Sequence, residues 1–474
     1  MELVDAATDG RAVAKHEGKV IFVEQGVPGD IAEVHVFRTQ KKQPIGRIEK
    51  LITPSPDRVE PTCQHFEACG GCKWQMMSYE AQLKAKQSHV INAMQRIGKL
   101  EIGEERYILG SENIYHYRNK LEFTLSCKAW LTKDQIGSAE QHDQRVAGFH
   151  VPRIFDKILS IEKCHLQTSA INDIRNELVR FAKAEDISFH DIREHIGFLR
   201  NIVFRTSLDT GEIMVTLIVN DDKPELINKI FSHLSDQFPA ITNLNWIHNE
   251  KLNSSYSELP FKVWRGNAFI TEALGDYKFQ IRPTSFFQTN PAQAKRLYDV
   301  VKSFLTDALP TDQTHHDVVY DLYSGTGSIG IFVSELVKKI VGIEYVEAAV
   351  GDARANVRLN NLPESQFNFY AGDIQKLLDE SLIQKEGRPD VIITDPPRQG
   401  MSPKVVQKVL QLAPHHIIYV SCKPATQARD LEMMKEDYDV LAIQPVDMFP
   451  HTAHVENVAF LKRKESAKNQ ENNP

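Results

Sequence analysis

Cys422 and Glu456 are the residues of this 474-residue chain whose types and surroundings best suit covalent chemistry. Cys422 lies in Ser421-Cys422-Lys423-Pro424-Ala425-Thr426, directly after the apolar, strand-like run Ile417–Ser421. Its polar, loop-forming neighbours argue for a working thiol rather than a packed one. An ordinary thiol of pKa near 8.5 is roughly 3% ionised at neutral pH, so full ionisation would gain only about 30-fold. Positioning must supply the remainder. Glu456 closes His451-Thr452-Ala453-His454-Val455-Glu456 and precedes Val458 in an apolar stretch. Desolvation there raises a carboxyl pKa toward that of a useful base. His451 and His454 read as capping or packing residues, with His451 a further candidate participant.

A thiol and a base so paired suit one demanding reaction. C5 of a uracil ring is a poor nucleophile toward a sulfonium methyl. A thiolate added at C6 turns the ring into an enolate whose C5 attacks, and a base must then remove the C5 proton before the sulfur leaves.

The elements before Cys422 have the pattern of a cofactor pocket. Asp321-Leu322-Tyr323-Ser324-Gly325-Thr326-Gly327 is D-x-x-x-G-x-G, between the run Val318–Asp321 and a helix expected over Ile329–Leu336. Glycines let the backbone turn sharply and approach a ligand, and the spacing differs from the dinucleotide pattern G-x-G-x-x-G. Glu344 ends the next strand, Lys339–Glu344, where an acid accepts from ribose hydroxyls. Asp373 stands where a third strand should end, facing an adenine edge. Asp395, in Asp395-Pro396-Pro397-Arg398, ends a fourth, and the two prolines stiffen its loop near the reacting centre. Each acid alone reads equally as a helix N-cap. Together, at successive strand ends, they point to S-adenosylmethionine. Arg398 in place of an aromatic residue, and a cysteine on the next strand, weigh against methylation of an exocyclic amine.

Cys63-x5-Cys69-x2-Cys72 supplies three thiols within ten residues, and Cys164 is the best fourth ligand. Zinc and iron–sulfur clusters both take four cysteines, although zinc usually takes two short pairs and no second pair exists here. Cys127, in a strand-like run, reads as core.

Stepping outward, residues 1–54 read as about five short strands with turns, suggesting a small barrel of the OB type. Arg38, Lys41, Lys42, Arg47 and Lys50 make a cationic patch on it, equally readable as a solvated hairpin tip. Pro54, Pro56 and Pro61 mark a linker, and a helix is expected from about Tyr79 to Ile97. Residues 105–280 mix strand-like and helical runs in a central α/β domain. From about 284 strands and helices alternate, as in a doubly wound parallel sheet. Residues 465–474 read as a disordered tail. A net charge of −7 excludes a protein that coats nucleic acid indiscriminately but allows a local basic groove. No run approaches the roughly 20 apolar residues of a membrane helix, and no secretory signal opens the chain, so a cytoplasmic protein is expected.

Taken together, these residues resemble the RNA uridine-C5 methyltransferases, most closely the branch with an N-terminal TRAM domain, a [4Fe–4S] cluster and 23S ribosomal RNA as substrate. The resemblance implies a Rossmann-like α/β methyltransferase domain over 284–464, a TRAM barrel over 1–54, and a central α/β domain with the cluster segment over 55–283. It implies Cys63, Cys69, Cys72 and Cys164 as cluster ligands, Cys422 as nucleophile and Glu456 as base. In Ser285-Phe286-Phe287-Gln288-Thr289-Asn290 it implies that Gln288 touches S-adenosylmethionine, joined by Tyr323, Ser328, Glu344, Asp373 and Asp395. It implies a monomer acting on a flipped uridine in a single-stranded RNA loop. Two features depart from the branch. Ser328 replaces a frequent asparagine, and the segment before Cys164 is longer. A tRNA-modifying relative is the alternative substrate reading. A radical methylthiolating enzyme would space its cysteines C-x3-C-x2-C, and a non-catalytic iron–sulfur RNA-binding protein would not need Cys422, Glu456 and Asp395 intact.

Overall fold

Alternating apolar and polar positions in the first fifty residues make five strands: β1 (Leu3–Ala6), β2 (Ala12–His16), β3 (Lys19–Glu24), β4 (Ile31–Gln40) and β5 (Gln43–Thr53). The protein is described by a computed structural model covering residues 1–40, 43–131, 136 and 143–465. The five strands run in the order β1-β2-β3-β5-β4, and Glu2 bridges to Ile31, so the edge strands meet. Leu3, Ala12, Ala14, Ile21 and Val23 fill the interior. Arg38, Arg47 and Lys50 lie on β4 and β5, whereas Lys41, Lys42 and the tail residues 466–474 fall outside the described residues.

Helix α1 (Tyr79–Ala93) begins at Ser78, whose hydroxyl accepts the Ala81 N–H at 3.3 Å, and it continues into a π-turn over Met94–Gly98. Its buried positions include Gln82, Lys86 and Val90, spaced every four residues. Two polar side chains thus occupy a stripe that a core helix ordinarily fills with apolar ones.

After β6 (Ile102–Glu105) come β7 (Lys120–Ser126), β8 (Val146–His150), β9 (Ile158–Ser160), α2 (Ser169–Ala184), β10 (Leu199–Thr206), β11 (Ile213–Val219), α3 (Pro224–Gln237), β12 (Asn243–His248) and β13 (Phe261–Arg265). The seven strands from β7 on form a mixed sheet in the order β13-β12-β11-β10-β7-β8-β9. Ile171, Ile174 and Leu178 of α2, with Ile227, Ile230 and Leu234 of α3, recur at helical spacing and pack on Phe123, Ile202, Phe204 and Leu217 of that sheet.

The remaining elements are β14 (Ile270–Leu274), β15 (Tyr277–Ile281), α4 (Pro291–Asp307), β16 (His316–Leu322), α5 (Ser328–Phe332), β17 (Val337–Glu344), α6 (Glu347–Leu359), β18 (Phe367–Ala371), α7 (Ile374–Leu377), α8 (Glu380–Glu386), β19 (Val391–Thr394), α9 (Pro403–Leu412), β20 (His416–Ser421), α10 (Pro424–Glu432), β21 (Tyr438–Val446) and β22 (Glu456–Arg463). The eight-stranded sheet runs β18-β17-β16-β19-β20-β22-β21-β6. Successive residues serve opposite faces: Val319, Ile340, Ile393 and Ile418 pack in one core, Tyr320, Val341, Ile392 and Ile417 in the other. Both faces are covered, which is why these strands read as continuous apolar runs.

Two expectations change. The parallel run from β18 to β20 is interrupted at β22, which pairs antiparallel with β20 and, through the loop 447–455, antiparallel with β21. A strand from far upstream, β6, then lies parallel to β21. The helix expected over Ile329–Leu336 is α5, of five residues, and then a 3₁₀ turn over Ser334–Leu336, because the chain must turn into β17 at Val337. Among the described residues no helix is long and apolar enough to cross a membrane.

Candidate active site

The carboxyl ends of the parallel strands and the start of β22 form one edge of the large sheet. Along it, in spatial order, come Asp373 beyond β18, Glu344 ending β17, Tyr323 beyond β16, Asp395 beyond β19, Cys422 beyond β20 and Glu456 opening β22. The strand order reverses direction at β16, where open α/β sheets bind ligands. The fold therefore brings together residues scattered over 134 positions, from 323 to 456.

The glycine turn after β16 is held open by left-handed residues: Tyr323 at φ 63°, Gly325 at 55° and Gly327 at 75°. A side-chain carbon built on Gly325 would meet nothing within 4 Å, which leaves room for a ligand there. Glu344 accepts the N–H groups of Gly325 (3.0 Å) and Val346 (2.8 Å), tying the turn to the neighbouring strand. Asp321 accepts the Gly330 N–H at 3.1 Å, and burial beside Asp395 and Glu344 pushes its carboxyl up to about 7. The Ser328 hydroxyl is 2.9 Å from the Tyr298 hydroxyl. Asp373 caps α7, accepting the Gln375 N–H at 2.9 Å, so the capping role is real alongside any ligand role. Gln288 is buried, and its backbone carbonyl accepts from Asn119 Nδ2 at 3.3 Å, binding the segment before α4 to the central domain.

Ser421 and Asn457 are the last paired residues of the β20–β22 ladder. The next residue on each side is Cys422 or Glu456, so both side chains emerge together. Burial drives the Cys422 thiol up to about 11, with the Glu456 and Asp395 charges adding to the rise and Arg398 opposing it. Glu456 is 4% exposed. Its burial, then the nearby Asp395 carboxylate, raise its pKa well above the usual carboxylate range, and Asp395 is raised by its own burial. The site thus contains a mostly protonated thiol beside carboxyls that hold protons readily, which is the composition for passing a proton between sulfur, carbon and oxygen.

Arg398 is the residue whose part the sequence did not reveal. Its guanidinium is 3.3 Å from His454 Nε2, and its carbonyl accepts the Thr426 hydroxyl at 3.1 Å. Burial, then Arg398, lower the His454 pKa to about 4, so this imidazole is neutral. The Asp-Pro-Pro-Arg order carried the signal, read only as an argument against amine methylation.

The loop 447–455 is clamped from α1. Lys86 Nζ, fully buried, donates to Asp447 Oδ1 (2.5 Å) and the Phe449 carbonyl (3.0 Å), and the Tyr79 hydroxyl donates to Asp447 Oδ2 (2.8 Å). Asn290, the N-cap of α4, donates to the Met448 carbonyl at 3.1 Å. The clamping roles of these residues escaped the sequence reading, because polar side chains in a helix ordinarily face solvent.

The thiols of Cys63, Cys69, Cys72 and Cys164 line one cavity of about 940 Å³, which also reaches Lys120, Arg205 and Phe286; Cys422 and Glu456 are not among its lining residues. Burial and the mutual influence of these thiols push Cys69 up to about 11 and Cys72 up to about 12. Among the described residues no group of three or more His, Cys, Asp or Glu forms a site for a single metal ion. Cys127 is partly buried against the central core.

Residues 78–464 match the family described as tRNA (Uracil-5-)-methyltransferase. An uncharacterized RNA methyltransferase of Bacteroides thetaiotaomicron is 45% identical over 460 residues, spanning 96% of this chain and 99% of that one. A second, from Porphyromonas gingivalis, is 41% identical over 98% of this chain and 99% of its own length. The crystal structure of Pyrococcus abyssi tRNA (uracil-54, C5)-methyltransferase in complex with S-adenosyl-L-homocysteine superposes with a TM-score of 0.73 at 29% identity, covering 97% of this chain and 99% of that one. The eight-stranded sheet is accordingly the Rossmann-like α/β sheet of a methyltransferase, and the chain belongs to the RNA uracil-5-methyltransferase family.

Proposed function

We propose that the protein methylates C5 of a uridine in RNA, with Cys422 as nucleophile and Glu456 as base. The observation that carries this reading is the emergence of both side chains from the end of one ladder, beside the buried Asp395. The Cys422 thiol first releases its proton to solvent water, and the thiolate Sγ then adds to C6 as the C5=C6 pair shifts to make the ring an enolate. S-adenosylmethionine, when bound, supplies an electrophilic methyl group to C5. Glu456 then removes the C5 proton. The C5–H electron pair re-forms the C5=C6 double bond, and the C6–S pair leaves with Cys422 as thiolate. Arg398, by opposing the rise in the thiol pKa, stabilises that leaving thiolate.

The open space at Gly325 fits a ligand that presses against the glycine turn, and Tyr323, Ser328, Glu344, Asp373, Asp395 and Gln288 are the residues we assign to hold S-adenosylmethionine. The Pyrococcus abyssi neighbour, described as a complex with S-adenosyl-L-homocysteine, supports that assignment.

Four cysteines that share a cavity and each other's electrostatic field are a donor set that a [4Fe–4S] cluster takes. Cys63, Cys69, Cys72 and Cys164 would hold it, and there it would brace the fold. We assign residues 1–54 as a TRAM barrel of the OB type, on the order β1-β2-β3-β5-β4 and the Glu2–Ile31 bridge, 55–283 as the central domain and 284–464 as the catalytic domain.

As substrate we propose 23S ribosomal RNA, modified by a cytoplasmic monomer, on the resemblance of residues 1–54 and of the cysteine spacing to the ribosomal branch. One observation favours transfer RNA instead: the Pyrococcus abyssi neighbour, named for uridine 54 of tRNA, is spanned almost completely. Mass spectrometry of 5-methyluridine in both RNAs, with and without the protein, decides. Unmethylated ribosomal and transfer RNA after incubation with the protein and S-adenosylmethionine would end the activity reading.

A further inference from the structure

The thiol and the base leave the end of one ladder, which Gln427 of α10 locks by donating to the carbonyls of Tyr419 (2.7 Å) and Asn457 (3.2 Å) and accepting from Asn457 Nδ2 (2.8 Å), while the Lys423 N–H donates to the Ser421 hydroxyl at 3.2 Å. The base has a further anchor of its own. On the base side, Glu456 pairs with Val446 of β21, and the loop 447–455 between them turns at His451, a non-glycine residue at φ 66°. That conformation persists only where surroundings enforce it.

His451 is gripped from two elements outside the catalytic sheet. Its carbonyl accepts the N–H groups of Lys73 (2.7 Å) and Trp74 (3.0 Å), the residues following Cys72. Its N–H donates to Gln82 Oε1 at 2.8 Å, and its Nδ1 lies 3.2 Å from Gln82 Nε2. The same Gln82 amide donates to the carbonyls of Met77 (2.9 Å) and Trp74 (3.0 Å). The ring of His451 stacks on Tyr115 at 4.5 Å between centroids. Gln82 has no exposed surface, so one buried amide joins α1, the end of the cysteine segment and the loop leading to Glu456.

We propose that Gln82 is a positioning residue for the proton-removal step: through His451 it sets where Glu456 stands over C5, while leaving Cys422 in place. The inference rests on the reading of Glu456 as base. Misplacing a reacting group by about 1 Å costs on the order of 10²-fold. Because the anchor through His451 bears on the loop before Glu456 and not on Cys422, the loss falls on the second half of the reaction. The methylated ring then waits, joined to Sγ, for its C5 proton to leave.

The test uses the full-length protein, uridine-containing RNA and S-adenosylmethionine, reading covalent RNA–protein adduct on denaturing gels beside released 5-methyluridine. Gln82→Leu should form adduct at a rate within a few-fold of the parent and release product about 10–100-fold more slowly, so adduct accumulates. His451→Asn, which tolerates the left-handed backbone, should accumulate adduct too and serves if Gln82→Leu folds poorly. Adduct formation and release falling in parallel, or both unchanged, overturns the proposal. Glu456→Gln is run alongside. Adduct there but not with Gln82→Leu or His451→Asn removes the positioning role alone. A folded, RNA-binding Glu456→Gln that releases product normally removes the base itself.

Discussion

Cys422 and Glu456 flank the last pair of an antiparallel ladder, Ser421 and Asn457, so a thiol and a carboxylate 34 positions apart in sequence leave the sheet as cross-strand neighbours. Side chains of such opposed residues lie roughly 4.5–5.5 Å apart at Cβ, which lets one pyrimidine ring meet both. RNA carrying 5-fluorouridine should therefore become covalently trapped, since its C5 offers no proton to remove. A trap that still forms with Cys422→Ala contradicts the assignment.

The pH dependence follows from the same neighbours. The Cys422 thiol is pushed up to about 11, and thiolate is the reactive form. Adduct formation should then rise about tenfold per pH unit between pH 6.5 and 8.5. As the proposed base, Glu456 would act ionised, and its pKa is raised, so product release should also fall as pH drops. Replacing Arg398 with Met removes the group that opposes the thiol's rise, and should slow adduct formation about tenfold or more at pH 7.5. A flat profile would mean that the thiol is already ionised.

Asp321 has a stability consequence. Its folded pKa, pushed up to about 7, exceeds the unfolded value of about 3.9. Its contribution is therefore fully present below pH 4 and is lost as pH rises through 7, amounting to an upper bound of about 4 kcal/mol. Asp321→Asn keeps an acceptor for the Gly330 N–H. Thermal unfolding should show the variant stabilised at pH 8.5 and little changed at pH 4, and equal shifts at both values would refute the cause.

Lys86 and Asp447 form an ion pair in which neither side chain is exposed. Lys86→Met leaves a carboxylate buried without its counter-ion and should cost about 3–5 kcal/mol in denaturant unfolding. Adding Asp447→Leu should recover part of that loss. If the double variant is less stable than the sum of the single ones, the pair is not what the loop depends on.

Iron and sulfide supplied anaerobically should bind the full-length chain and give broad visible absorption, and Cys164→Ser should abolish it. Equal uptake by that variant would assign the ligands elsewhere.

Much of the catalytic half was legible in sequence because its strands are buried on both faces. Ile417–Ser421 and Lys339–Glu344 read as apolar runs, and the acid or thiol at each end lies within two residues of where the chain leaves the sheet. Asp321-x-x-x-Gly325-x-Gly327 announced its turn because φ values of 55° and 75° suit glycine. Two kinds of feature escaped. β6 and β21 pair across more than 300 residues, and no local pattern records which strand a segment will join. Gln82 and Lys86 looked like ordinary helix residues, because a polar side chain declares itself buried only once its partners, His451 and Asp447, are folded against it. Residue type and local spacing thus determined what chemistry each strand end carries. Which ends stand side by side, how far their pKa values move, and what anchors the loop before Glu456 depend on long-range burial and pairing, and only the tertiary structure decided those.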